Sequence, residues 1–255
     1  MDNKIIRKLK YLRTNCFMKI QSTLWKREET TILFGAWFGH KFADNSRFLF
    51  QFVARNKEKL GFKHVVWVTR EKDLCQELNE KGYEAYMIDS KESINMHKTA
   101  KYHVVCNRPY NADDYEGDIL GEYSYGAVRI NLWHGVAGKG VGFGSNEYKR
   151  LKQSHKLLYG AEEALIRNSK LYRELVQYPG GWGNAYYLST TKLETKVLKN
   201  NFLLPEPYYI ESGYPRNCDC IELLDKEDKF YPYLDVEDKR FDFYCESKVG
   251  KRYMV

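Results

Sequence analysis

The strongest constraint on the fold is the alternation of short apolar runs with helical segments in the first half of the chain. Runs rich in β-branched and aromatic residues cover positions 31–37, 64–69, 84–88 and 102–106. Between them lie segments of helical pattern at 46–60, with Ser46 as N-cap, and at 71–81 and 90–100. Strands alternating with helices of this length predict βαβ units, and hence an α/β fold with a parallel sheet and flanking helices.

The second half of the chain predicts three more strands, at 127–132, 185–189 and 208–211. The stretch 146–177 has a helical pattern, which we expect to form two helices broken near Tyr159 and Gly160. Thr190-Thr191 followed by Glu194 forms a capping box, which predicts a helix running to about Asn200.

A glycine-rich stretch, 131–144, carries the best candidate for chemistry. His134 lies between Trp133 and Gly135 at the end of a predicted strand, and five glycines and Lys139 lie within the ten residues after it. A histidine can move a proton near neutral pH, and backbone N–H groups of a glycine loop can surround an anion. The alternative is a glycine-rich turn beside a buried, hydrogen-bonded histidine.

The position of this stretch favours the functional interpretation. The loop at 39–45, Asn107 and His134 all follow carboxyl ends of predicted parallel strands. Open parallel sheets bind their ligands at that edge, so we expect a binding site there.

Charge and composition limit the partners. The 255 residues carry a net charge of +7, which suits a phosphate-bearing substrate or an acidic surface and does not indicate nucleic acid. The six cysteines lack metal-site spacing, so no metal ligand is assigned. We interpret the acidic stretch between Asp113 and Glu122 as a solvated surface loop. The alternative is that its carboxylates bind a divalent cation such as magnesium.

Residues 1–28 combine basic side chains with apolar residues near helical spacing. A basic amphipathic helix of this kind can lie on an anionic membrane surface. The alternative is a helix that packs on the domain and keeps its lysines in water.

Three stretches resemble the CDP-glycerol glycerophosphotransferases, which make teichoic acids and capsular polymers. Trp133-His134-Gly135 with Lys139 and Gly142-Phe143 is similar to the family's Trp-His-Gly-Thr-Pro-Leu-Lys and Gly-Phe signature. The segment 39–46 resembles Gly-x-x-Tyr-x-Asp-Asn-Pro, and the segment 212–217 resembles Gly-Tyr-Pro-Arg-Asn-Asp. The three stretches occur in the family's order.

The resemblance implies a Rossmann-like domain that forms the amino-terminal half of a two-domain enzyme of the GT-B type. We expect a membrane-surface segment at 1–28, an acceptor-side domain at 29–224 and a charged linker at 225–255 that leads into a second domain beyond this chain. It also implies a cytoplasmic protein, peripheral on the inner face of the cell membrane.

The activity implied is transfer of glycerol phosphate, or a related polyol phosphate, from a CDP-polyol to a hydroxyl of a polymer or lipid-linked acceptor. His134 would be the catalytic base. The residues expected to bind substrate are Asn45, Asn107, Trp133, Gly135, Lys139, Gly142 and Arg216. Arg216 could hold a phosphate, or pair with a carboxylate of the domain.

Two other functions remain open from the sequence. A GT-B transferase that uses a nucleotide-sugar would share the layout and the basic amino terminus. A chain without a donor site could also be a non-catalytic acceptor-binding protein.

Overall fold

The computed structural model describes residues 2–109, 116–136, 138–176 and 182–217. Within these ranges, parallel strands form one sheet in the order β3-β2-β1-β4-β5-β6-β7, which confirms the predicted α/β class. The strands are β1 (Glu28–Phe34), β2 (His64–Thr69), β3 (Glu84–Met87), β4 (Ala100–Val105), β5 (Val128–Asn131), β6 (Tyr186–Ser189) and β7 (Tyr209–Glu211).

The strand order reverses between β1 and β4. Phe34 of β1 is paired with Trp67 of β2 on one side and with Val104 of β4 on the other. The chain therefore builds outward in both directions from this pair. A reversal of this kind opens a crevice at the carboxyl edge, where the loops after the two central strands diverge.

Helices cover both faces of the sheet. They are α1 (Asp2–Gln21), α2 (Asp44–Arg55), α3 (Lys72–Glu80), α4 (Lys91–Thr99), α5 (Asn146–Ser154), α6 (Lys156–Asn168), α7 (Lys170–Leu175) and α8 (Lys192–Phe202). The hydroxyl of Thr191 accepts a hydrogen bond from the N–H of Glu194, so the predicted cap of α8 is confirmed.

Two predictions about helix boundaries are wrong. Ser46 lies buried inside α2 rather than at its N-cap, because the chain enters the helix earlier, through Ala43 and a left-handed Asp44 (φ 61°). The stretch 146–176 forms three helices rather than two, because it breaks at His155 (φ −134°, ψ 54°) and again at Ser169 (φ −118°, ψ 106°), and neither pair of angles is helical. Gly160 stays helical, because one glycine costs a helix only about 1 kcal/mol.

Alternate residues of the central strands belong to two apolar cores, one on each face of the sheet. Leu33 and Val66 pack on one face of the sheet, whereas Phe34 and Trp67 pack on the other. Both faces of a parallel sheet are covered by helices, which is why these strands read as continuous apolar runs.

Helix α1 packs on the domain at its carboxyl-terminal end. Asn15 donates its side-chain amide to the carbonyl of Leu175 at 3.2 Å, and Lys19 forms an ion pair with Glu174. The opposite side of the helix leaves Phe17 57% and Ile20 71% exposed. Among the described residues, no helix has both the length and the apolarity needed to cross a bilayer.

The predicted linker at 225–255 lies outside the described residues. The division of the chain at 28 and 224 therefore stays a prediction.

Candidate active site

His134 is presented by a strained turn at the end of β5. The N–H of Trp133 donates to the side-chain oxygen of Asn131 at 2.9 Å, and the backbone of Trp133 is left-handed (φ 57°). Its indole lies 4.6 Å from the His134 ring and 5.4 Å from the ring of Phe202, between centroids. The turn thus reverses the chain at Trp133 while the indole stays packed against the core.

The imidazole of His134 has a defined hydrogen-bonding partner. Its Nδ1 lies 3.2 Å from the carbonyl oxygen of Cys106, at the end of β4. A carbonyl oxygen only accepts, so Nδ1 is the nitrogen that carries the proton in this contact. In the neutral ring Nε2 is then the basic nitrogen, and the side chain is half-exposed.

Left-handed backbone is concentrated around this site. Trp37, Phe38 and Asp44, all in the loop and helix entry after β1, have φ of 45°, 60° and 61°. Together with Trp133, they are four of the five non-glycine residues with positive φ in the part of the chain that the structure describes; the fifth, Leu203, caps α8. Such residues cost of order 1–3 kcal/mol each and cluster at functional sites.

Asn45 and Arg216 join this turn to other segments. Asn45 donates its side-chain amide to the carbonyl of Trp133 at 2.9 Å. Arg216 donates from Nη1 to the Asp44 carboxylate at 2.9 Å and to the carbonyl of His134 at 3.1 Å. Of the two roles open to Arg216, its contacts show the carboxylate partner; phosphate binding stays a prediction.

Gly135 is held from the opposite side of the loop. The hydroxyl of Tyr214 lies 2.9 Å from the carbonyl oxygen of Gly135 and 2.6 Å from Oε1 of Glu194. Glu194 is 2% exposed, and its other carboxylate oxygen accepts from Thr190. Tyr214 therefore lies between the capping glutamate of α8 and the histidine loop, and its single hydroxyl proton is given to one of the two acceptors at a time.

The rest of the glycine loop closes on α8. Asn201 donates to the carbonyl of Lys139 at 3.3 Å and accepts from the N–H of Val141 at 3.1 Å. The side chain of Lys139 is exposed, and Gly142 is left-handed (φ 54°). The loop thus has a fixed backbone with one cation at its surface.

Asn107 is placed by two neighbours at the carboxyl edge. Its carbonyl accepts from the side chain of Asn131 at 3.0 Å, and its N–H donates to Asp118 at 2.8 Å. Asp118 is fully buried, and burial raises its pKa to about 7. The interpretation of the acidic stretch as a solvated loop is therefore wrong for Asp118, because backbone N–H groups draw this carboxylate inside.

Glu116, another acid of this stretch, belongs to an ion-pair cluster at the surface. Glu116 pairs with Nε2 of the exposed His40, whose Nδ1 contacts Glu71 at 2.6 Å, and hydrogen bonds to the two carboxylates raise the pKa of His40. Among the described residues, no group of three or more His, Cys, Asp or Glu side chains is arranged to hold a metal ion. Asp113 and Asp114 lie outside them.

The structure brings five of the predicted residues into direct or adjacent contact: Asn45, Trp133, His134, Gly135 and Arg216. Asn107 is one residue from the carbonyl that holds His134, whereas Lys139 and Gly142 lie further along the loop. Sequence reasoning missed Asp44, Asp118 and Tyr214 as parts of the site. Asp44 and Tyr214 lie within the family motifs noted in the sequence, so those motifs could have indicated them. Asp118 lies in none of these motifs.

The fold and the site together define a parallel α/β domain with a histidine base candidate beside its topological switch point. The model of the CDP-glycerol:poly(glycerophosphate) glycerophosphotransferase family matches residues 16–230. The chain therefore belongs to this family. A comparison with curated protein sequences gives no match.

Among solved structures, the chain is similar to the wall teichoic acid polymerase TagF. The identity is 16%, with 86% of this chain and 46% of that chain covered and a TM-score of 0.49. A TagF variant soaked with CDPG is 14% identical, with 96% of this chain and 51% of that chain covered and a TM-score of 0.49. The chain spans about half the length of these structures.

Proposed function

We propose that the chain is part of a transferase that moves glycerol phosphate, or a related polyol phosphate, from a CDP-polyol to a hydroxyl of a teichoic acid-type polymer. The family match over residues 16–230 is the observation that carries this proposal. In this proposal the domain would form the acceptor-side half of a GT-B enzyme, and the activity would require both halves.

The proposed step is an in-line displacement at phosphorus with His134 as general base. The acceptor hydroxyl gives its proton to Nε2 of His134 as its oxygen bonds to the phosphorus of the glycerol phosphate. The bond from that phosphorus to the bridging oxygen breaks, and CMP leaves with the electron pair. The contact from Nδ1 to the carbonyl of Cys106 favours the imidazolium that forms.

The glycine loop would supply charge stabilisation in this proposal. Lys139 is an exposed cation five residues after His134. The N–H groups of Gly138, Val141 and Gly144 already donate within the protein, so the proposal assigns the phosphate oxygens to Lys139 and to other N–H groups of the loop. Donors fixed before the reaction stabilise phosphoryl oxygens without reorganisation, because the fold has already oriented them.

The test is a transfer assay on the full-length gene product. It would measure CMP release and polymer growth with CDP-glycerol, CDP-ribitol and UDP-sugars as alternative donors. We expect a CDP-polyol to be used, and His134→Ala to lose roughly 10²–10⁴-fold in rate while the protein stays folded. The matched control is His155→Ala, an exposed histidine between α5 and α6.

Two results would contradict the proposal. Turnover retained in His134→Ala would remove His134 from the reaction. Use of UDP-sugars in place of CDP-polyols would make the protein a glycosyltransferase.

A peripheral location on an anionic membrane surface is a further part of the proposal. Exposed apolar residues of α1 and the turn after it, Phe17, Ile20 and Leu24, lie beside basic residues of the same segment. Such a surface can insert into the headgroup region while the lysines contact anionic lipid.

Vesicle co-sedimentation tests this location. Phe17→Ser with Ile20→Ser should weaken binding to anionic vesicles, whereas Leu193→Ser, an exposed leucine of α8, should not. Equal binding by both variants would place the contact elsewhere on the protein.

A further inference from the structure

Asp118 joins the two loops that diverge at the switch point. One carboxylate oxygen accepts the N–H of Phe38, in the loop after β1, at 2.8 Å. The other accepts the N–H groups of Cys106 and Asn107, in the loop after β4, at 3.2 and 2.8 Å. A single buried side chain thus holds both loops that leave the carboxyl ends of β1 and β4.

The segment that carries Asp118 passes very close to the backbone just after β1, at Gly35. A Cβ atom on Gly35 would lie 2.0 Å from the carbonyl oxygen of Asp118, so only glycine lets the segment reach its position. Asp118 is fully buried although it is a carboxylic acid, which rarely occurs without specific partners. Its partners are backbone groups on both sides of the switch point.

Both loops held by Asp118 touch the His134 ring. The carbonyl of Cys106 accepts from His134 Nδ1, and the same residue gives its N–H to Asp118. On the other side Trp37, adjacent to Phe38, has its ring 6.2 Å from the His134 ring between centroids. The left-handed backbone of Phe38 is unfavourable by itself, and the bond to Asp118 helps to hold it.

We propose that Asp118 is a positioning residue for His134: by holding the backbone of Cys106 and Phe38, it fixes the imidazole with Nδ1 protonated and Nε2 free. The inference rests on the proposed function, because the arrangement matters only if His134 acts as a general base, which needs an unprotonated Nε2. The positioning itself is a property of this domain and can be measured without any transfer reaction.

The experiment is NMR of the chain labelled with ¹⁵N-histidine, at a pH where the ring of His134 is neutral. Long-range proton–nitrogen correlations distinguish the Nδ1–H from the Nε2–H form, and the signals missing from His134→Ala identify the residue. Free histidine prefers the Nε2–H form. We expect Nδ1–H for His134 in the unaltered protein.

The variant Asp118→Asn then tests the role of the carboxylate. An amide of the same shape offers one acceptor oxygen, so it cannot serve both loops at once. We expect the ratio of the two forms of His134 to move about fivefold toward Nε2–H, which corresponds to the weakening of one ordinary hydrogen bond. Glu122→Gln removes an acid in the same segment, outside these contacts, and should leave the His134 signals unchanged.

Sucrose, which favours the compact state, is added equally to all samples so that Asp118→Asn is measured folded. An Nε2–H form in the unaltered protein would overturn the proposal, and so would an unchanged ratio in folded Asp118→Asn. If the ratio moves as expected but the full-length protein transfers no polyol phosphate, the positioning holds and the proposed function fails.

Discussion

Arg216 and Asp44, 172 residues apart in the chain, form an ion pair at 2.9 Å beside the candidate base. The same guanidinium nitrogen donates to the carbonyl of His134 at 3.1 Å. The pair therefore connects the loop after β1, the turn after β5 and the segment after β7. These are the three stretches that carry the family's motifs, and the fold gathers them at one point.

The ion pair should contribute to stability because Asp44 is only 8% exposed. Arg216→Ala leaves that carboxylate without its guanidinium, so we expect a loss of about 2 kcal/mol in the free energy of unfolding, measured with urea. Lys199→Ala breaks an exposed ion pair with Glu206 and should cost less than about 1 kcal/mol. Equal losses in the two variants would mean that burial of Asp44 does not matter.

The stability of the domain should depend on which polar group the side chain at position 45 carries. Its amide donates to the carbonyls of Trp133 and Leu132, and the residue is fully buried. Asn45→Asp places a carboxylate against two carbonyl oxygens, so we expect it to destabilise the domain by about 3 kcal/mol or more at neutral pH. Asn45→Ala should cost less, about 1–3 kcal/mol. The opposite order in urea unfolding would argue against these contacts.

Two glycines of the histidine loop should respond differently to alanine. A Cβ atom on Gly144 would lie 2.1 Å from Oδ1 of Asn201, which holds the N–H of Val141. We expect Gly144→Ala to lower the midpoint of thermal unfolding, with a cost of about 2 kcal/mol. A Cβ atom on Gly138 meets no atom within 4 Å, so Gly138→Ala is the matched control. A neutral Gly144→Ala would show that the loop moves freely away from α8.

Acid should destabilise the domain through two buried histidines. Burial lowers the pKa of His97 to about 4 and moves the pKa of His103 well below 6.5. As the pH falls below 6.5, the two histidines bind protons in the unfolded chain, whereas in the folded chain they stay neutral. This part of the stability is therefore complete above pH 6.5 and is lost as the pH falls toward 4.

The variant His97→Gln isolates one of these groups. Between pH 7.5 and 5.5, the unaltered protein should lose about 1.4 kcal/mol more of its free energy of unfolding than the variant does. The comparison subtracts groups common to both proteins, including Asp118, whose raised pKa acts in the opposite direction. Parallel dependences on pH for the two proteins would contradict the buried, neutral state of His97.

Much of the fold was predictable because its signals are local. The alternation of apolar and helical patterns predicts a strand at each of the seven described strands, although the first begins at Glu28, three residues before its predicted start. The Thr191–Glu194 cap occurs where the residue types predict it. The helix boundaries near Ser46 and His155 were misplaced, because dihedral angles at single residues decided them. The left-handed φ of Asp44 accompanies its ion pair with Arg216, and a contact over that distance in the chain leaves no local signal.

The sequence by itself determined the sheet, the edge at which a site would lie and the residue, His134, that could act as a base there. These follow from periodicity and residue chemistry over a few neighbouring positions. The tertiary structure alone decided that the carbonyl of Cys106 contacts Nδ1 of His134, that Arg216 pairs with Asp44 and that Asp118 is buried. Each of these contacts joins distant parts of the chain, whose approach depends on the packing of the whole domain.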